Sequence, residues 1–319
     1  MKIFRDFDHI SGNFATCIGF FDGVHKGHQF LLEHLRREAG QHGLLAGAIT
    51  FVNHPRRLID PAFPLPLIDT LDERLAKLEA TGIDACFLLD FTEEVRQLSA
   101  EQFIHSMLHD RMHVRRLLIG YDHRFGHNRE EGFDDYVRYG ADCGMEVVLE
   151  PERQDGDGLH YSSSEVRRAL AQGDVAKAAA ILGCPYRMGG QVIAGHQLGR
   201  KLGFPTANLW IREKDKIIPK RGVYAVLATL EDGSVHPAML NIGCRPTVDG
   251  PDHKQTLEAH IIHWDGNLYG QQLRLDVVHR LREERRMESL DALKDQLRRD
   301  VDATQKVLSS CQIPPEMRQ

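Results

Sequence analysis

The sequence predicts an α/β domain on a parallel sheet, followed by an all-β domain, a small antiparallel barrel with one terminal helix. Three observations carry this. In the first half, short apolar runs alternate with amphipathic helical stretches, as in a parallel sheet covered by helices on both faces. In the second half, the apolar runs are β-branched, lie between turn residues and have no helical pattern between them, as in a closed antiparallel sheet. The length, 319 residues, suits two ordinary domains.

The elements follow in order. A strand over residues 14–19 leads into a helical stretch, 27–39, in which Phe30, Leu31 and Leu35 share a face and Gly40 or Gly43 supplies a stop. Further strands are predicted over 44–52, 85–89, 116–120 and 146–150, five in all. Ligands in such sheets bind beyond the carboxyl ends of the strands. The unusual sequence lies there: the His25 loop after the first strand, His54-Pro55 after the second, and 120–126 after the fourth. One shared cleft is therefore expected. Tyr161 to Arg167 begins a helix that ends near Gly173, and a short helix runs over 174–182. Gly183-Cys184-Pro185 marks the boundary, giving domains 1–183 and 184–312. Beyond it strands are predicted over 191–194, 223–230, 236–242, 256–262 and 273–278, with Asp232-Gly233 and Asp265-Gly266 as hairpin turns. Leu290, Leu293, Leu297, Val301, Thr304 and Leu308 recur at helical spacing and form the terminal helix.

Composition narrows the function classes. A net charge of -6 disfavours a general nucleic-acid or anionic-membrane partner. The six cysteines, at 17, 86, 143, 184, 244 and 311, form no Cys-x-x-Cys pair, so neither a zinc site nor a disulfide framework is indicated. The charged N-terminus lacks a signal-peptide core, and no run approaches 18 apolar residues. A cytoplasmic protein is expected, one that meets small molecules rather than nucleic acid or membrane. The sequence carries no signal for oligomeric state.

Two stretches carry chemistry. In Gly23-Val24-His25-Lys26-Gly27-His28 the imidazoles are three apart across a predicted helix start, so both can face one ligand beside exposed backbone N–H groups. Such an anion cradle stabilises the charge that builds when a phosphate attacks the α-phosphate of ATP. Gly23 and Gly27 let backbone approach phosphate. Alone, the pair also fits a glycine-rich surface turn. Ser162, Ser163 and Ser164, with Arg167 one turn in, fit a phosphate site, and Ser162 with Glu165 equally satisfies a capping box.

The second stretch is Gly203-Phe204-Pro205-Thr206-Ala207-Asn208, and no Walker-type phosphate loop occurs to explain phosphoryl transfer otherwise. Thr206 and Asn208, two apart in extended chain, project to one face and offer the oxygen ligands that Mg2+ takes. Gly195, Gly199 and Gly203 give backbone room near phosphates, and Arg200 and Lys201 bring positive charge. Glu258, between Leu257 and Ala259 on a predicted strand, points opposite to both. It is a candidate base, and a solvent-facing carboxylate would read the same way.

The resemblances then add the substrates. Gly19-Phe20-Phe21-Asp22-Gly23-Val24-His25-Lys26-Gly27-His28 resembles the nucleotidyltransferase superfamily, whose Rossmann-like domains use two histidines on the triphosphate. Ser162 to Arg167 resembles the Ser-Ser-Thr-x-Ile-Arg segment of bacterial FAD synthetases, with Ser164 in place of Thr. Gly120 to Gly126 resembles that family's Gly-x-Asp/Asn-Phe-x-Phe-Gly segment, His123 replacing Phe, and implies a pocket role for Asp122. Phe51 to Pro55 resembles its Phe-x-Pro-His-Pro turn, with Asn53 in place of Pro. In the second half, Gly203 to Asn208, Asn241 to Thr247, Leu257 to His260 and Leu268 to Gly270 resemble the flavokinase family in order and spacing. That likeness implies Thr206 and Asn208 on Mg2+, Glu258 as catalytic base, and Gly195, Gly199, Lys201, Gly203, Pro205 and Arg245 around nucleotide and flavin. For the first domain it implies His25 and His28 as catalytic, with Gly19, Phe20, Asp22, Gly23 and Gly27 on the nucleotide. The whole chain thus resembles prokaryotic bifunctional flavokinase and FAD synthetase enzymes, converting riboflavin to FMN and FMN to FAD with ATP. The rivals are a one-activity kinase and a non-catalytic flavin or nucleotide sensor.

Overall fold

The structure is a computed structural model. It describes the chain except residues 61, 63–65, 121–123, 128–130, 151–159, 196–198, 200–201, 247–252, 286 and 311–319. The chain forms two compact units, Met1–Ser163 and Ser164–Gln319.

In the first unit, six strands form one sheet: β1 (Lys2–Phe4), β2 (Phe14–Ile18), β3 (Leu45–Phe51), β4 (Ala85–Leu89), β5 (Val114–Gly120) and β6 (Glu146–Glu150). Their order is β1-β4-β3-β2-β5-β6 and every pairing is parallel. β2, β3 and β4 read as near-continuous apolar runs because helices cover both faces. The covering shows as two cores, one around Phe14, Phe87, Leu117 and Tyr136, the other around Cys17, Leu32, Leu35 and Leu78. The expected strands are all present. A sixth, β1, was not foreseen, since three residues carry no readable period; Ile3 pairs beside Cys86.

The chain runs outward from β2 to β3 and β4, then returns to β2's other side with β5 and β6. Direction therefore reverses at β2, and the loop after that strand lies at the switch point where α/β sheets take ligands. The helix Lys26–Gln41 follows this loop and buries Leu32, Leu35 and Ala39.

In the second unit, six strands close into an antiparallel barrel: β7 (Tyr186–Ile193), β8 (Ala207–Trp210), β9 (Gly222–Thr229), β10 (Val235–Pro246), β11 (His253–Ile261) and β12 (Gln272–Arg282). The order is β10-β11-β8-β7-β12-β9. β9 is buried along its whole length. The terminal helix, Leu290–Ser310, rests on β9, β10 and β12, with Leu308 buried against Ala225 and Leu227. Helix Val175–Leu182, expected over 174–182, is capped by Asp174, ends at left-handed Gly183 and packs on β7 and β12.

Asp232-Gly233 does join the paired strands β9 and β10, with Gly233 at φ +83°. Asp265-Gly266 does not form a hairpin, because β11 and β12 are not neighbours in the barrel. Β8 inserts between β11 and β7, and its four residues are too short to show a period.

Candidate active sites

The loop after β2 is held in an unusual backbone form. Phe21, Gly23 and Val24 have φ of +55°, +85° and +41°, and the two non-glycine values require enforcement by surrounding contacts. Asp22 supplies it: its buried carboxylate accepts the N–H of Ile68 at 3.0 Å and of Asp69 at 3.0 Å. Lys77 ties the same region, donating to Asp69 at 2.7 Å and to the Gly23 carbonyl at 3.4 Å. Asp22, expected among nucleotide-contacting residues, thus spends its carboxylate on the loop itself. Its carbonyl accepts the Ser163 hydroxyl at 2.8 Å, which brings the serine segment to the loop.

His25 caps the helix Lys26–Gln41, its Nδ1 accepting the His28 N–H at 3.4 Å. In the neutral ring that bond leaves the proton on Nε2. The two imidazoles stack, 3.7 Å between centroids and 20° between planes. Burial, then the neighbouring His25, hold the His28 pKa well below its usual value, so His28 is neutral. Its Nδ1 is enclosed with no hydrogen-bond partner among the described residues. Gly27 has a steric reason beyond phosphate access, since a Cβ there would meet the His25 ring at 3.1 Å and the Tyr161 carbonyl at 3.3 Å. Ser164 and Arg167 sit on the helix Ser163–Gln172, within the second compact unit. Asp122 lies outside the described residues.

Beside the loop is a cavity of about 430 Å3 lined by Phe20, Phe51, Phe91, Phe125, His54 and Arg124, among others. Beneath its wall the buried Arg74 guanidinium lies 4.0 Å from the Phe20 ring centroid and donates to the Phe51 carbonyl. Phe20, His54 and the 120–126 segment were legible in the sequence, whereas Phe91, Phe103 and Arg96, which also line the cavity, were not. A signal existed: each of these aromatics at 20, 51, 91 and 125 falls at or just beyond a strand's carboxyl end.

In the barrel, strand register assembles the second site. Asn208 of β8 stands opposite Glu258 of β11, and Glu258 opposite Asn241 of β10. Asn241 in turn stands opposite Val223 of β9, and Val223 opposite Arg282 of β12. Residues directly opposite in antiparallel strands share a face. All five, with Thr206, line one cavity of about 440 Å3. Its lining also includes the apolar side chains of Met239, Met287, Leu293 and Leu297. Asn241 and Arg282 were not among the expected site residues; Arg282 is fixed there by Asp300 at 2.8 and 3.0 Å.

The glycines act sterically. A Cβ on Gly195 would fall 2.1 Å from the Asn208 amide nitrogen, and one on Gly199 would fall 2.3 Å from the Phe204 carbonyl. Gly203 is left-handed at φ +84°. The Pro205 carbonyl accepts from His260 Nδ1 at 2.8 Å. Lys201 lies outside the described residues, as does the side chain of Arg245. A second cavity, about 560 Å3, is bordered by Pro205, Trp264, Asp265 and Tyr269, and Thr206 lines both.

A parallel sheet with a histidine-bearing loop at its switch point, joined to a closed barrel with hydroxyl, amide and carboxylate oxygens in one cavity, defines a two-unit enzyme of the transferase class that works on small molecules. Family models agree with this division: one described as FAD synthetase matches residues 8–165 and one described as riboflavin kinase matches 182–308. Bifunctional riboflavin kinase/FMN adenylyltransferase from Pseudomonas fluorescens is 37% identical over 306 residues, covering 95% of this chain and 96% of that protein. Its counterpart from Haemophilus influenzae is 35% identical, covering 93% and 94%. A solved structure described as a macrolide-efflux protein from Streptococcus pneumoniae superposes with a TM-score of 0.86 at 29% identity, covering 95% of this chain and 98% of that one. The chain belongs to the bifunctional riboflavin kinase/FMN adenylyltransferase family. No described helix is long and apolar enough to cross a membrane.

Proposed function

We propose that the barrel phosphorylates riboflavin to FMN with ATP and that the sheet unit adenylylates FMN to FAD with release of pyrophosphate, at the residues assigned below. The observation that carries the kinase assignment is the Asn208–Glu258–Asn241 row, which sets a carboxylate between two amides on a cavity wall. Glu258 takes the proton of the ribityl primary hydroxyl as its oxygen attacks the γ-phosphorus of ATP, and ADP leaves. Riboflavin occupies the cavity with the methionine and leucine wall, and ATP the one beside Trp264 and Tyr269. Thr206 borders both, which supports a point of transfer beside it.

Both reactions use ATP and call for a divalent metal, which we take to be Mg2+. Thr206 and Asn208 fit it: hard oxygen donors in one cavity, the Asn208 amide seated where Gly195 leaves space. Among the described residues no group of three or more His, Cys, Asp or Glu gathers, in keeping with an ion held mostly by phosphates and water. Bound there, the ion would neutralise charge on the transferring phosphoryl group.

In the sheet unit FMN lies in the aromatic cavity, its phosphate within reach of Arg124 and its ring among the phenylalanines. The FMN phosphate attacks the α-phosphorus of ATP, the bond to the β-phosphate oxygen breaks, and no side chain needs to form a covalent intermediate. His25 Nε2–H, with the N–H groups at the start of helix Lys26–Gln41, donates to the phosphate oxygens. The Ser162 hydroxyl completes the phosphate contacts, beside Ser163, whose hydroxyl holds the Asp22 carbonyl. The functional boundary lies at 183/184. The compartment is the cytoplasm, supported by free cysteines at 17, 86 and 143.

The test supplies riboflavin or FMN with ATP and Mg2+ and separates the flavins. Glu258→Gln should lower FMN formation by about 10^2–10^4 while FAD still forms from added FMN, and His28→Ala should do the reverse. Loss of both reactions in either folded variant defeats the assignment of two separate sites, and binding without turnover in the unmodified enzyme would make it a sensor.

A further inference from the structure

His260 lies two residues after Glu258 on β11, so both side chains face the same cavity. It is 9% exposed, and its ring meets Phe204 edge-on at 5.5 Å. Nδ1 makes its hydrogen bond to the Pro205 carbonyl at 2.8 Å. A carbonyl can only accept, so Nδ1 carries the proton and the ring is a donor at this atom. Proline has no N–H, and this carbonyl is the last backbone acceptor before Thr206. On the next residue the chain enters register, Ala207 opposite Ala259 and Asn208 opposite Glu258. Upstream, the loop is closed by Phe204 N–H on the Gly199 carbonyl at 2.8 Å. Thr206 therefore sits between a ladder that begins at residue 207 and the His260 side-chain clamp on residue 205.

We infer that His260 is a positioning residue of the kinase site: through its Nδ1–H bond to the Pro205 carbonyl it sets the backbone that presents the Thr206 hydroxyl toward the metal-nucleotide. The inference rests on the assignment of Thr206 above. It assigns no proton transfer to the imidazole. Its content is geometric, and asparagine offers the means to test it. The amide nitrogen of asparagine is as many bonds from Cβ as histidine Nδ1, so His260→Asn keeps a donor at the same reach. His260→Leu removes the donor, and His260→Gln moves it one bond further out.

The experiment uses the full chain and two readouts, Mg·ADP binding by calorimetry and the Mg2+ concentration for half-maximal FMN formation. FAD formation from supplied FMN reports folding of the rest of the chain. His260→Leu and His260→Gln should each weaken Mg·ADP binding and raise the half-saturating Mg2+ by roughly tenfold, the scale of a small misplacement of one ligand. His260→Asn should restore both to within about threefold of the unmodified enzyme, a result that packing alone would not give. Unchanged binding in His260→Leu, or an asparagine variant as impaired as the glutamine one, overturns the inference. The comparison of asparagine with glutamine decides the matter even when the leucine variant fails to fold. Thr206→Val, measured alongside, separates the two levels. If that variant keeps full Mg·ADP affinity, the assignment of Thr206 falls and this inference with it. If it loses affinity while His260→Leu does not, only the role of His260 falls.

Discussion

Gly195→Ala is the sharpest probe of the kinase cavity, because the contact it would make is with a functional side chain and not with inert wall. An ideal Cβ at 195 would lie 2.1 Å from Asn208 Nδ2, 2.5 Å from its Cγ and 2.8 Å from its Oδ1. Comfortable non-bonded separation begins near ~3.5 Å, so the amide would have to retreat by about 1.4 Å. Asn208 is short, and its backbone is paired on both sides, to Glu258 and to Ile193, so the retreat falls on the side chain. A displacement of that size at a positioned group costs about 10^2 in rate, or about 2.7 kcal/mol of barrier. Strain should also lower the stability of the barrel by about 1–3 kcal/mol. The assay is the initial rate of FMN formation across Mg2+ concentration, with FAD formation from FMN as the internal control. In an Asn208→Ala background the same change should add little, since the clash is gone. A Gly195→Ala enzyme with kinase activity near that of the unmodified protein, or additive losses in the double variant, would refute the reasoning.

Two further outcomes follow from the sheet unit. Asp22→Ala strips acceptors from the N–H groups of Ile68 and Asp69, and should destabilise this unit by about 2–4 kcal/mol in urea unfolding; a midpoint unchanged by the substitution would dismiss the carboxylate as the loop's fastener. His28 has a native pKa held below its usual 6.5, so the unfolded chain takes up a proton as pH falls through that value while the folded chain does not. Stability is then complete above 6.5 and declines as pH drops toward the lowered native pKa. The denaturation midpoint of the sheet unit should fall between about pH 7 and pH 5.5, and the fall should flatten in His28→Asn.

How much of this was legible in the sequence depends on the range of the contacts involved. β4 was bounded correctly from residue type alone, because a buried parallel strand announces itself as a short apolar run; β6, a partly exposed edge strand, was bounded as the apolar run between Glu146 and Glu150. β1 and β8, three and four residues long, are strands only because of what they pair with. Asp265-Gly266 has the composition of a hairpin turn, yet the strand that β11 prefers beyond β10 is β8, from some fifty residues earlier. The histidine pair, Thr206, Asn208 and Glu258 were all readable as motifs. Their relation was not: that Asn241 and Arg282 share a row with Glu258 is a fact of register, which no local pattern encodes. Asp22 shows the converse. Its place in a ligand-binding motif suggested ligand contact, while its carboxylate is engaged by backbone at 68 and 69.

The row from Asn208 to Arg282 also has a consequence in time. Its members are spread over 75 positions of chain, and β12 is the strand that joins β9 to β7 and so closes the circle. On a ribosome the sheet unit has all its strands once residue 150 has emerged, whereas the barrel is an open ribbon until residue 282 is out. A nascent chain can thus gain the means to make FAD before it can make FMN, in the reverse of the order in which the two reactions run.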